Sequence, residues 1–132
     1  MKQYYDNIYS KFALTMRENG AWKNAELLEV QVMDMRKKLL GEEHSHTLSS
    51  MGNLADTYRN QGRWNEAEKL QVKVMNIRKK LLGEEHPDTL SSMWRLAVTY
   101  SYQGRQNEAE QLQVPVMDMR KKLLGEGHLS SM

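Results

Sequence analysis

One phrase written three times constrains this chain more than any other feature. RKKLLGEEH runs from Arg36 to His44 and recurs letter for letter from Arg78 to His86. A third copy, RKKLLGEGH from Arg120 to His128, differs by one residue. The three starts stand 42 positions apart, and Gly20, Gly62 and Gly104, which open GAWKNAE, GRWNEAE and GRQNEAE, keep the same step. A catalytic site needs its groups once, whereas a structural unit is repeated. A fixed period of about 20 to 50 residues is the signature of stacked supersecondary units.

Each period contains two helical patterns. In TLSSMGNLADTYRNQG, Leu48, Met51, Leu54, Ala55 and Tyr58 recur at three- and four-residue steps, which places them on one face of a helix. Gly62 supplies the left-handed stop. The second pattern, RWNEAEKLQVKVMNIRKKLL, carries an apolar stripe of Trp64, Ala67, Leu70, Val74, Ile77 and Leu81. It predicts a helix roughly 30 Å long that ends at Gly83. Pro87 then fits the first turn of the next helix, where its missing N–H costs little. The unit is helix A, tight turn, helix B, short loop. Helix B has a second apolar line, Val72, Met75 and Leu82, with no partner inside its own hairpin, so hairpins must stack.

Composition narrows the function. The 132 residues suit one domain, and 39% hydrophobic and 27% charged residues with a net charge of +2 describe neither a disordered tail nor a nucleic-acid-coating arm. No apolar run approaches the roughly 20 residues of a membrane span, and MKQYYDNIYSKF lacks the apolar core of a secretory signal, so a cytoplasmic setting is expected. The absence of cysteine removes thiol catalysis and disulfides. There is no glycine-rich phosphate loop and no nucleophile context, so no enzyme, catalytic residue or cofactor is expected.

With Leu54, Ala55, Tyr58, Gly62 and Ala67 at this spacing, the hairpin resembles the tetratricopeptide repeat (TPR), whose common period is about 34. The 42-residue period, the long helix B and LGEEHPDTL between units look like the kinesin-light-chain type. Similar arrays sit at the C-termini of fungal and bacterial STAND-type NTPases, and the fungal wording is the nearer. The resemblance covers about Gly20 to Leu124. It implies an all-α, right-handed superhelical solenoid of about three repeats and six helices that binds proteins or peptides. The expected hairpins are a divergent first over 1–41, a second over 46–83, a third over 88–125, and a truncated start of a fourth over 126–132 of a single TPR domain.

In the resembled family the A helices line a concave surface. Opposite the packing positions of helix A stand Ser49, Gly52, Asn53, Asp56 and Asn60, and one period later Ser91, Trp94, Arg95, Val98 and Tyr102. The expected ligand-contacting set is Asn53, Asp56, Asn60, Trp94, Arg95, Val98 and Tyr102, with Lys11 from the first repeat. Trp94 replaces Gly52 and is either an aromatic anchor beside a cation or a cover for a neighbouring helix. Asn53 has the family's asparagine position before LA, from which an amide pairs with a ligand's main chain. The places of the family's carboxylate clamp hold Ser10, Leu14, Asp56, Trp94 and Val98, which argues against that clamp.

Other signals have plainer readings. The RKK triplets lie at helix ends, where cations complement the negative end of the dipole, so they are read as solvated helix ends and not as a nucleic-acid surface. His44, His86 and His128 mark the same loop one repeat apart, too far for one ion, and are read as turn or capping residues. Pro115 stands inside the third helix B and predicts a bend or break between Gln111 and Pro115. The last helix B leaves Val114, Met117 and Leu124 without a following helix. This raises a second role, as an oligomerisation module or a sensor fragment of a larger STAND-type protein that assembles through uncapped ends.

Overall fold

A computed structural model of the chain describes the backbone of residues 22–131 and the side chains of residues 23–125. Among the described residues all regular structure is helical: α1 (Trp22–Leu40), α2 (Ser45–Asn60), α3 (Trp64–Leu82), α4 (Pro87–Tyr102) and α5 (Gln106–Ser131). The helices α2 and α4 are A helices, and α1, α3 and α5 are B helices. The expected first A helix, with Lys11, lies outside the described residues. Two compact units, residues 1–74 and 75–132, divide the chain within α3. In the first, α1 packs on α2; in the second, α4 packs on α5.

The punctuation of the repeat has a backbone cause. Gly41 and Gly83 both have a φ of 91°, in the left-handed region that costs a side-chain-bearing residue most, and each ends a B helix. Next to them His44 and His86 cap the following helices: their Nδ1 atoms accept from the backbone N–H of His46 at 3.1 Å and of Asp88 at 3.0 Å. This is the work usually done by Ser, Thr, Asp or Asn, and it agrees with the capping reading. Pro87 takes the first turn of α4, as expected. At the tight A-to-B turns, Arg63 N–H donates to the Tyr58 carbonyl at 2.8 Å and Gly62 N–H to that of Arg59 at 2.9 Å, the pattern of a Schellman stop.

The A helices are the most densely buried elements, packed on Ala25, Val32 and Met33 of α1 in the first unit and on Ala109 and Val116 of α5 in the second. Thr47, Leu48, Ser50, Met51, Leu54, Ala55 and Thr57 are buried in α2, and the same seven repeat positions are buried in α4. The expected apolar face holds for Leu48, Met51, Leu54 and Ala55, with Tyr58 half-buried. A second, small and polar set, Thr47, Ser50 and Thr57, is buried as well. It has no apolar signature, so periodicity alone passes over it.

Three expectations are corrected. Leu81 and Leu82, expected on the two buried apolar lines of helix B, are exposed, as are Leu39 and Leu40 at the same places one repeat earlier. They sit in the last helical turn. Of the bend or break expected at Pro115, the break does not occur: α5 is helical through it. Pro115 and Gln111 are both exposed, a setting in which solvent can satisfy a carbonyl that loses its N–H partner. The third helix B also outruns the hairpin end expected at 125: α5 continues through Gly125, which does not share the positive φ of Gly41 and Gly83. The third copy lacks the Pro-Asp-Thr that follows His86, and with it the capped helix start that accompanies the stop in the first two copies.

Candidate binding surface

The A helices present their uncovered rows separately in each unit. In the first unit Ser49 and Asn60 are exposed and Asn53 and Asp56 half-buried, with Asp56 Oδ1 lying 3.8 Å from Arg59 Nη2 one turn away. In the second, Ser91 and Arg95 are exposed, Trp94 and Val98 half-buried, and Tyr102 is 65% exposed at the last position of α4. Lys11, the expected contribution of the first repeat, is outside the described residues. A phenol left this open on an ordered helix is a ready apolar contact with a polar tip.

Trp94 is not wholly free. Its ring carries the guanidinium of Arg120 from α5, with the carbon 5.8 Å from the ring centroid. The indole therefore both covers the neighbouring helix and leaves part of its surface open, so the two readings of Trp94 describe one side chain. Arg95 lies close enough to Arg78 for its charge to be felt there. Burial lowers the basicity of the Arg78 guanidinium, Asp88 opposes that change, and Arg95 adds to it.

The arginine that opens each of the first two basic triplets is not a solvated helix end, which corrects the expectation for Arg36 and Arg78. Arg36 is only 8% exposed, and its Nη1 donates to Ser50 Oγ at 2.6 Å and to the His46 carbonyl at 3.0 Å. One period later Arg78 Nη1 donates to Ser92 Oγ at 2.8 Å and to the Asp88 carbonyl at 3.5 Å. α1 and α3 thus each clamp the first two turns of the A helix that follows. Only the lysines keep the expected place, with Lys37, Lys38, Lys79 and Lys80 in the last helical turns. A buried hydrogen bond from Thr57 Oγ1 to Glu29 adds a second tie between α1 and α2. The fixed offset between the arginine of RKK and the second serine of TLSSM, repeated in both copies, was the available signal for the clamp.

The turn arginines are also committed. Arg63 makes a two-toothed pair with Glu66, donates to Gln61 and Glu26, and covers the Tyr58 ring at 4.3 Å. Arg105 repeats the arrangement with Glu108, Gln103 and the Tyr100 ring at 4.2 Å. The hydrogen bonds from these arginines hold the Glu66 and Glu108 carboxyls below the ordinary glutamate value of 4.5. Burial, then the negative charge of Glu26, pushes the Tyr58 hydroxyl above its usual value. Tyr58 and Tyr100 are therefore hairpin fasteners, and among the described residues Tyr102 is the exposed tyrosine.

Among the described residues no three histidines, aspartates or glutamates are placed to hold a metal ion. No described helix is long and apolar enough to cross a membrane. The sequence model of the tetratricopeptide repeat matches residues 4–71 and again 47–122. The chain belongs to the tetratricopeptide repeat family. Its fold matches the kinesin light chain nearly identical TPR-like repeats of Podosopora anserina, with a TM-score of 0.82 and 32% identity over 89% of this chain. That match takes in 56% of the other chain, so the present sequence spans little more than half of it. BtubC (BKLC) from P. vanneervenii shares the fold at a TM-score of 0.84 and 18% identity, covering 92% of this chain and 48% of that one. The TPR domain of Arabidopsis FLU does so at 0.79 and 15%, covering 92% and 99%. No curated protein sequence matches the chain. The repeats are therefore kinesin-light-chain-like TPR hairpins, a fold of protein–protein interaction scaffolds.

Proposed function

We propose that this TPR chain is a non-catalytic, cytoplasmic scaffold that binds a protein or peptide on the concave face of its A helices. Trp94, Arg95, Val98 and Tyr102 are the main contacts from α4. Asn53, Asp56 and Asn60 contribute from α2, and Lys11 from the first repeat. The observation that carries the reading is the α4 row, where an aromatic side chain 65% exposed shares a helix face with an indole, an apolar Val98 and a cation. Burying such groups stabilises a complex without remodelling the core, and tryptophan, tyrosine and arginine are the residue types enriched at binding hot spots. The polar α2 row suits hydrogen bonds to a ligand's main chain.

The test is a peptide array probed with the purified chain and with Trp94→Ala and Tyr102→Ala. Loss of at least about tenfold in affinity for both variants is expected, the size of one truncated hot-spot contact. Unaltered binding by both, with native helicity, removes the α4 row from the site. A second reading, assembly through the end of the array in the manner of a sensor module of a STAND-type protein, is favoured by the exposure of Val114, Met117 and Leu124 on α5.

A further inference from the structure

The run KLLGEE over residues 80–85 is exposed at every position, and so is its copy over residues 38–43. Leu81 and Leu82 are 48% and 43% exposed although the helices that follow them are in place, so no missing neighbour accounts for it. Single exposed leucines are ordinary on a protein surface. A pair kept letter for letter in each copy, yet left out of the packing, is more than scatter. The charges beside the pair differ between the first two copies. Glu42 is committed, with Lys73 of α3 at 2.6 Å and Lys37 at 4.0 Å. One period after Lys73 stands Pro115, which has no charge to offer, so Glu84 lacks that partner. The neighbouring Glu85 has Lys122 of α5 at 4.0 Å. Among the described residues neither Glu84 nor Lys79 has an ion-pair partner.

Lys79 and Glu84 stand symmetrically about the leucines, two residues before the pair and two after it. A two-fold contact, in which residue i of one copy meets residue j of the other and j meets i, needs a self-complementary surface of this kind. We propose that the end of α3 is a self-association surface: Leu81 and Leu82 of two copies pack together across a two-fold axis, and Lys79 of each copy meets Glu84 of the other. The leucines supply apolar area, and the opposite charges fix the register. A second copy carries the complementary pattern by construction. An anionic membrane is a poor occupant, because Glu84 and Glu85 lie beside Lys79 and Lys80. The copy at the end of α1 is the weaker site, since its Glu42 already has Lys73. The surface is separate from the α4 row and from Val114 and Met117 of α5, so it stands independently of both readings above.

The test is sedimentation equilibrium of the full chain over a range of concentrations. A concentration-dependent dimer is expected, abolished by the double variant Leu81→Asp, Leu82→Asp. Lys79→Glu or Glu84→Lys is expected to weaken it about tenfold, because each substitution sets like charges together at two symmetry-related contacts. Mixing the two charge variants is expected to restore association, since the two chains then meet with opposite charges at both contacts. Recovery on mixing also shows that both are folded, and circular dichroism checks the leucine variant. Met117→Lys is expected to leave the dimer intact. A chain that stays monomeric overturns the proposal, as does a dimer that the leucine variant leaves unchanged, or charge variants that stay weak when mixed. Association lost in Met117→Lys but kept in the leucine variant places assembly on α5 and sinks this surface while sparing that reading.

Discussion

At Arg36 and Arg78 a guanidinium with five N–H groups reaches an adjacent helix and finds there one hydroxyl and one carbonyl. Truncating such a side chain removes charge-assisted bonds and the packing of its stem, while the serine hydroxyl loses its donor. Arg78→Ala is expected to cost about 1.5–3 kcal/mol, and Lys80→Ala, at an exposed helix end, less than about 0.5 kcal/mol. Urea denaturation of the two variants checks this, and equal midpoints would mean that the clamp contributes nothing. The clamp was hidden in the sequence because a basic triplet at a helix end has a sufficient explanation in the helix dipole. Only the fold brings Ser50 and Ser92 within reach. The capping role of His44 and His86 was legible because it is local, involving a backbone N–H two residues on.

Among the helices, the same LLG phrase ends α1 and α3 but not α5. At Gly83, with φ at 91°, a Cβ is strained whatever the space around it. At Gly125 the backbone is helical and nothing lies within 4 Å of an added Cβ. Gly83→Ala is therefore expected to destabilise by about 1 kcal/mol or more, the cost of a left-handed conformation for an L-residue. Gly125→Ala is expected to be neutral or stabilising by up to about 1 kcal/mol through helix propensity. Thermal melts of the two variants should move in opposite directions, and a fall in both would show that Gly125 also serves as a stop. Helix existence and type were readable from the 3.6-residue period. The third stop was not, because it depends on a capped helix start that only the first two copies possess.

For the molecule as a whole, the A helices carry the largest buried sets, seven positions in each of α2 and α4, while the described buried residues of α5 are Ala109 and Val116. Native-state amide exchange should therefore be slowest in α2 and α4 and faster along α5, whose opening exposes little further apolar surface. Uniform protection across the five described helices would contradict this distribution. The expectation follows from repeat arrays, in which stability is approximately a sum of units and neighbour interfaces.

Repetition with a fixed 42-residue step was enough, by itself, to determine the hairpin, its first turns and the buried face of the A helices, because each follows from local periodicity and from glycine and cap chemistry, and the residues at that step carried the resemblance to the TPR family. The row of α4 was also visible as the set of positions the packing pattern leaves over. Tertiary structure alone decided which polar residues are interior. It buried Arg36, Ser50 and Thr57, left the leucine pairs in water, and laid Arg120 against Trp94. It also gave one ten-residue sequence, VMDMRKKLLG over residues 32–41 and again over 116–125, two environments, since burial belongs to the neighbour a helix meets and not to the residues that meet it.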